Sequence, residues 1–91
     1  MDTRVAVISI IVDQEDAIEE LNAMLHEARQ YIVGRMGIPY RPKGISIISI
    51  AIDAPQNTIS ALSGKIGRLK GVSAKTAYSN VITPAEEGAE Q

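Results

Sequence analysis

Two stretches of this sequence, Val7-Ile-Ser-Ile-Ile-Val-Asp13 and Ile47-Ile-Ser-Ile-Ala-Ile-Asp53, are nearly the same seven residues placed forty positions apart. Both are rich in β-branched residues, carry a serine in the middle and end on an aspartate, which is typical of a strand that leads into a turn. Each is followed by a stretch whose apolar residues have helical spacing. A chain that repeats strand and then helix predicts two half-units that share one hydrophobic core.

The predicted elements follow the order strand, helix, strand, strand, helix, strand. We expect the strands at residues 4–13, 31–37, 45–53 and 72–78, and the helices at about 14–30 and 55–69. Residues 38–44 contain two prolines and are interpreted as a turn-rich connection. Pro55 near the start of the second helix and Gly71 after its end are the usual residues at such positions.

This order predicts an α+β fold, the ferredoxin-like βαββαβ sandwich, in which a four-stranded antiparallel sheet carries two helices on one face. We also expect the two repeated strands to be neighbours in the middle of the sheet and to run parallel, as equivalent parts of the repeat. Residues 1–80 would form one domain with this fold, and residues 81–91 an acidic, disordered tail.

Alternation along the two repeated strands gives each strand two faces, and both faces are apolar. The entirely aliphatic face is expected beneath the helices. The other face contains Val5, Val7, Ser9, Ile11, Ile45, Ile47, Ser49 and Ala51. Its five large aliphatic side chains are worth roughly 1.5–3 kcal/mol each when buried, and two helices cannot cover them. The sequence therefore predicts a homo-oligomer, a dimer or a tetramer, formed through this sheet face; the alternative is a scatter of surface apolar residues.

Polar residues after the repeated strands are the candidates for ligand binding. Asp13 and Asp53 end the two strands, and Gln14 and Asn57 lie in the loops that follow. If the strands run parallel, both carboxylates lie at one end of the sheet, about 4.8 Å apart, and could bind a cation or a ligand amine. The structural alternative is that each aspartate only accepts hydrogen bonds from nearby backbone N–H groups.

Composition argues against several classes of function. The chain has no cysteine and one histidine, His26, so no disulfide, no tight transition-metal site within one chain and no metal cofactor are expected. No apolar run could span a membrane and no signal-peptide pattern is present, which favours a cytoplasmic protein. The net charge is −2 and the central strands carry no aromatic side chain, so direct nucleic-acid binding is not expected. No catalytic set of residues and no nucleotide-binding glycine pattern is found.

Three segments carry a family resemblance. They are the strand block that ends at Asp13, the segment Ile32-Val-Gly-Arg-Met-Gly-Ile-Pro39, and the segment Ala61-Leu-Ser-Gly-Lys-Ile-Gly-Arg-Leu-Lys-Gly-Val-Ser-Ala-Lys-Thr76. Over residues 4–78 the chain resembles the iron-only hydrogenase system regulator family. The most specific part is Leu62-Ser-Gly-Lys-Ile-Gly67 followed by Gly71 and Val72.

That family is similar in fold to ACT-like regulatory domains and to the C-terminal domain of nickel-responsive repressors. The resemblance implies a small oligomeric sensor, without a catalytic role, that binds a small-molecule ligand or contacts a partner protein. The chain lacks the histidine and cysteine ligands of the nickel regulators, and no ribbon-helix-helix segment precedes Arg4, which argues against nickel sensing and operator binding. The alternatives are a small ferredoxin-like enzyme with a site at the sheet or subunit interface, and a purely structural assembly module.

Overall fold

The computed structural model describes residues 2–84 of the chain. Its main elements are β1 (Asp2–Val12), α1 (Ala17–Glu27), β2 (Ile32–Tyr40), β3 (Ile45–Ala54), α2 (Gln56–Gly67) and β4 (Val72–Pro84), with short 3-10 turns at Arg29–Tyr31 and Arg41–Lys43. The βαββαβ order and the four-stranded antiparallel sheet with its two helices confirm the predicted fold class.

The sheet has the strand order β2-β3-β1-β4, and each neighbouring pair is antiparallel. The repeated strands β1 and β3 are central neighbours, as expected, but the expected parallel direction is wrong. The α1 crossover joins β1 and β2 as parallel strands on either side of β3, and the β2–β3 connection then reverses β3 against both. Ser9 pairs with Ser49, so the two halves of the repeat are related by a pseudo-two-fold axis near these serines.

The hydrophobic core lies between the sheet and the two helices. It contains alternate residues of the central strands and one stripe from each helix: Ala6, Ile8, Ile10, Val12, Ile48, Ile50, Ile52 and Ala54, with Ala17, Leu21, Leu25, Ile59, Leu62 and Ile66. No polar or charged side chain of the described residues is buried. This core therefore depends on apolar burial alone, with the all-aliphatic strand faces beneath the helices as predicted.

Two strands are longer than the sequence pattern suggests. β2 includes Ile38–Tyr40, which we predicted as part of a connection, because an edge strand tolerates a proline whose nitrogen faces away from its neighbour. β4 continues beyond Tyr78 to Pro84, so residues 81–84 belong to a strand where a tail was expected. The rest of the expected tail, residues 85–91, lies outside the described residues.

The loop between β1 and α1 lies against the turn that precedes β4. The Asp13 N–H donates to the Gly71 carbonyl oxygen at 2.8 Å. Gly71 has a φ of 78°, and a Cβ at this position would lie 2.5 Å from Gln14 Cγ and 2.7 Å from Asp13 Oδ1. Both the left-handed backbone and the close approach require glycine, so Gly71 fixes the position of the Asp13–Gln14 loop.

We expect Gly71→Ala to lower the free energy of unfolding by about 1–3 kcal/mol, because the methyl group strains the backbone and displaces the loop. Gly67→Ala is the matched control, since Gly67 ends α2 and a Cβ there meets nothing within 4 Å. This control should be neutral or stabilising by up to about 1 kcal/mol. Urea unfolding followed by circular dichroism measures both variants, and equal effects would contradict the role assigned to Gly71.

Candidate functional site

The sheet face without helices, which we call the open face, is the principal candidate surface. Strand pairing places on it Gly34, Met36, Ile38 and Tyr40 of β2, Ile45, Ile47, Ser49, Ala51 and Asp53 of β3, Val5, Val7, Ser9 and Ile11 of β1, and Ser73, Lys75 and Ala77 of β4. All eight residues predicted for this face are present. The alternation of the two central strands was therefore sufficient to assign them.

The large apolar side chains of the open face are exposed to solvent. The exposed fractions are 44% for Val5, 37% for Val7, 45% for Ile11, 41% for Ile47, 62% for Met36, 51% for Ile38 and 44% for Tyr40. Ser9 is exposed as well, whereas Ile45, Ser49 and Ala51 are half-buried. Within the described residues, nothing covers this surface beyond contacts among its own side chains.

Antiparallel pairing arranges the open face in rows across the strands. One row contains Ile38, Ile47, Ile11 and Ser73, and the next contains Met36, Ser49, Ser9 and Lys75. Side chains in one row are near neighbours, about 4.5–5.5 Å apart at Cβ. The apolar area therefore extends continuously over β1, β2 and β3. Two serines lie in the middle of this area, and the polar or small residues of β4 form one margin.

Part of this surface was not predicted. Met36, Ile38 and Tyr40 were not assigned to it because the second strand was expected to end at Gly37. Their spacing of two residues, together with Gly34, is the signal that could have identified a longer strand. Lys75 was missed because its row depends on the pairing of β4 with β1, which the sequence alone does not specify.

The predicted ligand-binding aspartates lie at opposite ends of the sheet. Asp53 pairs with Val5, whereas Asp13 directly follows Val12, which pairs with Ser46. At about 3.3 Å per residue, the eight residue steps from Val5 to Asp13 separate the two carboxylates by about 26 Å. The expectation of a shared two-carboxylate site is therefore wrong, because β1 and β3 are antiparallel.

A cavity of about 540 Å³ lies at the end of the sheet where β1 finishes. The β1–α1 connection and the β2–β3 hairpin form its walls, which contain Val12, Gln14, Glu15, Ile18, Pro39, Tyr40, Arg41, Gly44, Ile45 and Ser46. Aliphatic side chains are combined here with an amide, a carboxylate, a guanidinium group and hydroxyl groups. Such a lining suits a small organic molecule that has an apolar body and a few polar groups.

Of the four predicted ligand-binding residues, Gln14 lines this cavity. It also lines a smaller neighbouring cavity of about 110 Å³, together with Asp16, Glu20 and Lys70. A third cavity, of about 200 Å³, lies between the two helices near Met24. Asp13, Asp53 and Asn57 line none of these three cavities, so their part in ligand binding stays a prediction.

The cavity and the open face share part of their surface. Tyr40 and Ile45 pair with each other across β2 and β3 on the open face, and both line the 540 Å³ cavity. A molecule placed over the open face would therefore reach the rim of the cavity.

Metal and membrane sites are not found in the part of the chain that the structure describes. Between Asp2 and Pro84, no group of three His, Cys, Asp or Glu residues is placed to hold a metal ion. Across the same residues, no helix has both the length and the apolar character needed to cross a membrane. The described chain thus offers an apolar surface and a mixed cavity as its candidate sites.

Comparison with known proteins gives one family and two informative solved structures. The family model named TM1266-like, described as "Iron-only hydrogenase system regulator, putative", matches residues 4–76. The structure of uncharacterized protein TM1266 from Thermotoga maritima is 36% identical in sequence, with a TM-score of 0.81 over 84% of this chain and 96% of that chain. No curated protein matches the chain significantly.

A formyltetrahydrofolate deformylase from Pseudomonas putida KT2440 is also similar, with a TM-score of 0.61 at 13% identity. The match covers 85% of this chain but 29% of the deformylase, so it shows a common fold and nothing about activity. The family match, by contrast, extends over residues 4–76, and the Thermotoga match covers most of both chains. Together they confirm the resemblance seen in the sequence. The chain belongs to the TM1266-like family, described as "Iron-only hydrogenase system regulator, putative".

Proposed function

We propose that this chain is a cytoplasmic, homo-oligomeric, ACT-like regulatory domain that binds a small ligand and contacts a partner protein, without a catalytic role. The observation that carries the proposal is the continuous apolar area of the open face. Membership of a family described as regulators supports the regulatory part. In this proposal, two copies stack their open faces, and the ligand occupies the cavity beside the Asp13–Gln14 loop.

The free energy available from burial of the open face favours a second copy as the partner. Seven large apolar side chains expose between 37% and 62% of their surface. Burial of the exposed half of such side chains contributes roughly 5–10 kcal/mol per subunit, or roughly 10–20 kcal/mol per stacked pair. The loss of translational and rotational freedom costs about 4–15 kcal/mol, so stacking is favourable over most of this range.

The pattern of polar groups on the open face also suits stacking about a two-fold axis. Ser9 and Ser49 lie at its centre, where small hydroxyl side chains can bond across the interface while the apolar rows on either side pack together. Lys75 lies at the margin along β4, where a charge can remain in water. An isologous interface needs one self-complementary surface, and a central serine pair flanked by apolar rows provides it.

Stacking would couple assembly to ligand binding. Tyr40 and Ile45 belong to both surfaces, so a second copy on the open face changes the surroundings of the cavity rim. A ligand that prefers the covered cavity stabilises the stacked form, and by thermodynamic linkage stacking increases the affinity for the ligand by the same factor. The partner protein would then recognise the ligand-dependent assembly.

The enzyme alternative has one specific observation in its favour. Ser9, Ser49 and Lys75 form a polar row on the open face, and a hydroxyl beside an amine is a known starting point for nucleophilic chemistry. Both serines lie in the middle of the apolar area, however, so stacking would remove them from solvent and from any substrate. We therefore favour regulation.

A charge in the apolar area tests the stacking. Ile11→Lys is expected to halve the number of subunits, because it places an ammonium group between packed aliphatic side chains. Ser73→Lys is the matched control, since Ser73 lies in the same row at the polar margin and should leave assembly unchanged. Sedimentation velocity at micromolar concentration gives the subunit number, and circular dichroism checks folding. A monomeric wild-type protein would contradict the proposal.

Native mass spectrometry tests the ligand. The wild-type protein should retain a small molecule as additional mass beyond that of its subunits. Ser46→Phe should lose this mass, because the ring fills part of the cavity, whereas Asn80→Phe, at an exposed position of β4 away from the cavity, should keep it. If the wild-type protein assembles but carries no additional mass, the purely structural assembly module becomes the better interpretation.

A further inference from the structure

A groove runs between α1 and α2 on the outer surface of the helix layer. The cavity of about 110 Å³ lies where the start of α1 approaches the turn after α2, and the cavity of about 200 Å³ lies where the end of α1 approaches the middle of α2. Both cavities follow the junction between the same two helices. They are therefore the deeper parts of one groove.

This groove has an apolar floor and two walls of opposite charge. Its floor includes aliphatic and small side chains from both sides: Met24, Ala28, Ala61, Leu62 and Leu69. The wall formed by α1 carries three acidic side chains: Asp16, Glu20 and Glu27. The opposite wall carries Lys65 of α2 and Lys70 of the following turn. Each cavity thus has carboxylates on one side and an ammonium group on the other.

The charges of the two walls are exposed and do not pair across the groove. All five of these acidic and basic residues are exposed, and within residues 2–84 no ion pair joins one wall to the other. Opposite charges on a molecule lying between the walls would therefore find partners on both sides. The groove is complementary to a segment with an apolar underside, a basic flank toward α1 and an acidic flank toward α2.

A helix suits this groove better than an extended segment does. The backbone groups of α1 and α2 are bonded within the helices, so the groove offers side chains and no free strand edge. An extended segment would leave its own backbone N–H and C=O groups without partners against the apolar floor. A helix satisfies these groups internally and presents one apolar stripe.

We propose that the groove binds an amphipathic helix of the partner protein, with apolar residues at i, i+4 and i+7 against the floor, basic residues toward α1 and acidic residues toward α2. This inference rests on the proposed function, because it names the surface through which the partner contact is made. α1 has 11 residues and is about 16 Å long, so about three turns of the bound helix lie in the groove. Stacking through the open faces leaves both helix layers pointing outward, and the groove stays accessible.

Neither a second helix layer nor the chain's own C-terminal segment has the side chains to fill this groove. Within the described residues, the large apolar side chains exposed at the surface all lie on strands, and none lies on α1 or α2. The segment after Pro84, Ala-Glu-Glu-Gly-Ala-Glu-Gln91, contains three glutamates and no large apolar residue. A different protein is therefore the occupant.

Two synthetic peptides of about 18 residues test the charge pattern, since shorter helices are marginal in water. Both carry leucines at i, i+4 and i+7; the first has lysines on one flank and glutamates on the other, and the second has lysines on both. We expect the first peptide to bind saturably by fluorescence anisotropy at low salt and to gain helical circular dichroism when bound. Absence of saturable binding, or binding without a gain of helix, would overturn the proposal.

A reversed charge in one wall tests the orientation of the flanks. Lys65→Glu makes both walls acidic, so relative to its control it should shift the ratio of the two affinities by about fivefold toward the peptide with lysines on both flanks. Lys43→Glu is that control, because it gives the same net charge and Lys43 is exposed in the β2–β3 connection, away from the groove. Equal ratios in the two variants would contradict binding in the groove.

A large side chain on the floor tests the position of the binding site. Ala61→Phe fills part of the cavity of about 200 Å³ and should weaken binding of the first peptide by about tenfold. Ala23→Phe is the matched control, since Ala23 is an exposed alanine of α1 that lines neither cavity of the groove. This control should bind like the wild type, and equal weakening by the two substitutions would refute the assigned site.

Subunit number separates the groove from the stacking interface. Ala61→Phe should keep the wild-type subunit number in sedimentation velocity, and a lower number would identify a second copy as the occupant and overturn the proposal. Ile11→Lys, which disrupts stacking, should still bind the first peptide with unchanged affinity. A wild-type protein that assembles but does not bind the peptide would contradict the groove proposal alone.

Discussion

Two helices of 11 and 12 residues cover one face of a four-stranded sheet, and the other face exposes seven large apolar side chains. The proposed assembly depends on this difference between the covered and the uncovered face. The core beneath the helices is complete, with no buried polar side chain among the described residues. The open face adds nothing to that core, yet it carries large apolar side chains on both sides of the central Ser9 and Ser49 row. Exposed apolar patches of this kind usually mark a surface that contacts another molecule.

The repeat in the sequence also determines where the equivalent loops of the two halves lie. Because the halves are related by a pseudo-two-fold axis near Ser9 and Ser49, the equivalent loops lie at opposite ends of the sheet. Beside the loop at the Asp13 end lies the cavity of about 540 Å³. At the Asp53 end Arg4 donates to Gln56 Oε1 at 2.7 Å, and its guanidinium carbon lies 4.8 Å from the Tyr78 ring centroid. The two halves thus have a similar backbone arrangement but different side chains at their ends. The cavity at the Asp13 end is the better candidate for a ligand.

The sequence was sufficient for the element order, the core and the open faces of the central strands, because each depends on local periodicity. It was insufficient where the outcome depends on pairing between distant segments. The direction of β3 relative to β1 follows from the crossover, so a repeat alone cannot specify it, and the shared Asp13 and Asp53 site failed for that reason. The end of β2 was missed because Pro39 suggests a turn unless the strand is known to be at an edge. The cavity was found only in part, through Gln14, since its walls come from two segments that are distant in the sequence.

In the proposed regulatory function, ligand binding would be transmitted through assembly or through the shape of the domain. Among the residues that the structure describes, the two shared between the cavity and the open face are Tyr40 and Ile45. Tyr40 ends β2, and Ile45 begins β3, so the hairpin between them is the element that a ligand and a second subunit would both contact. The position of this hairpin would therefore depend both on whether the cavity is occupied and on whether the open face is covered. Coupling between sensing and assembly would therefore depend on the position of this hairpin rather than on rearrangement of the core.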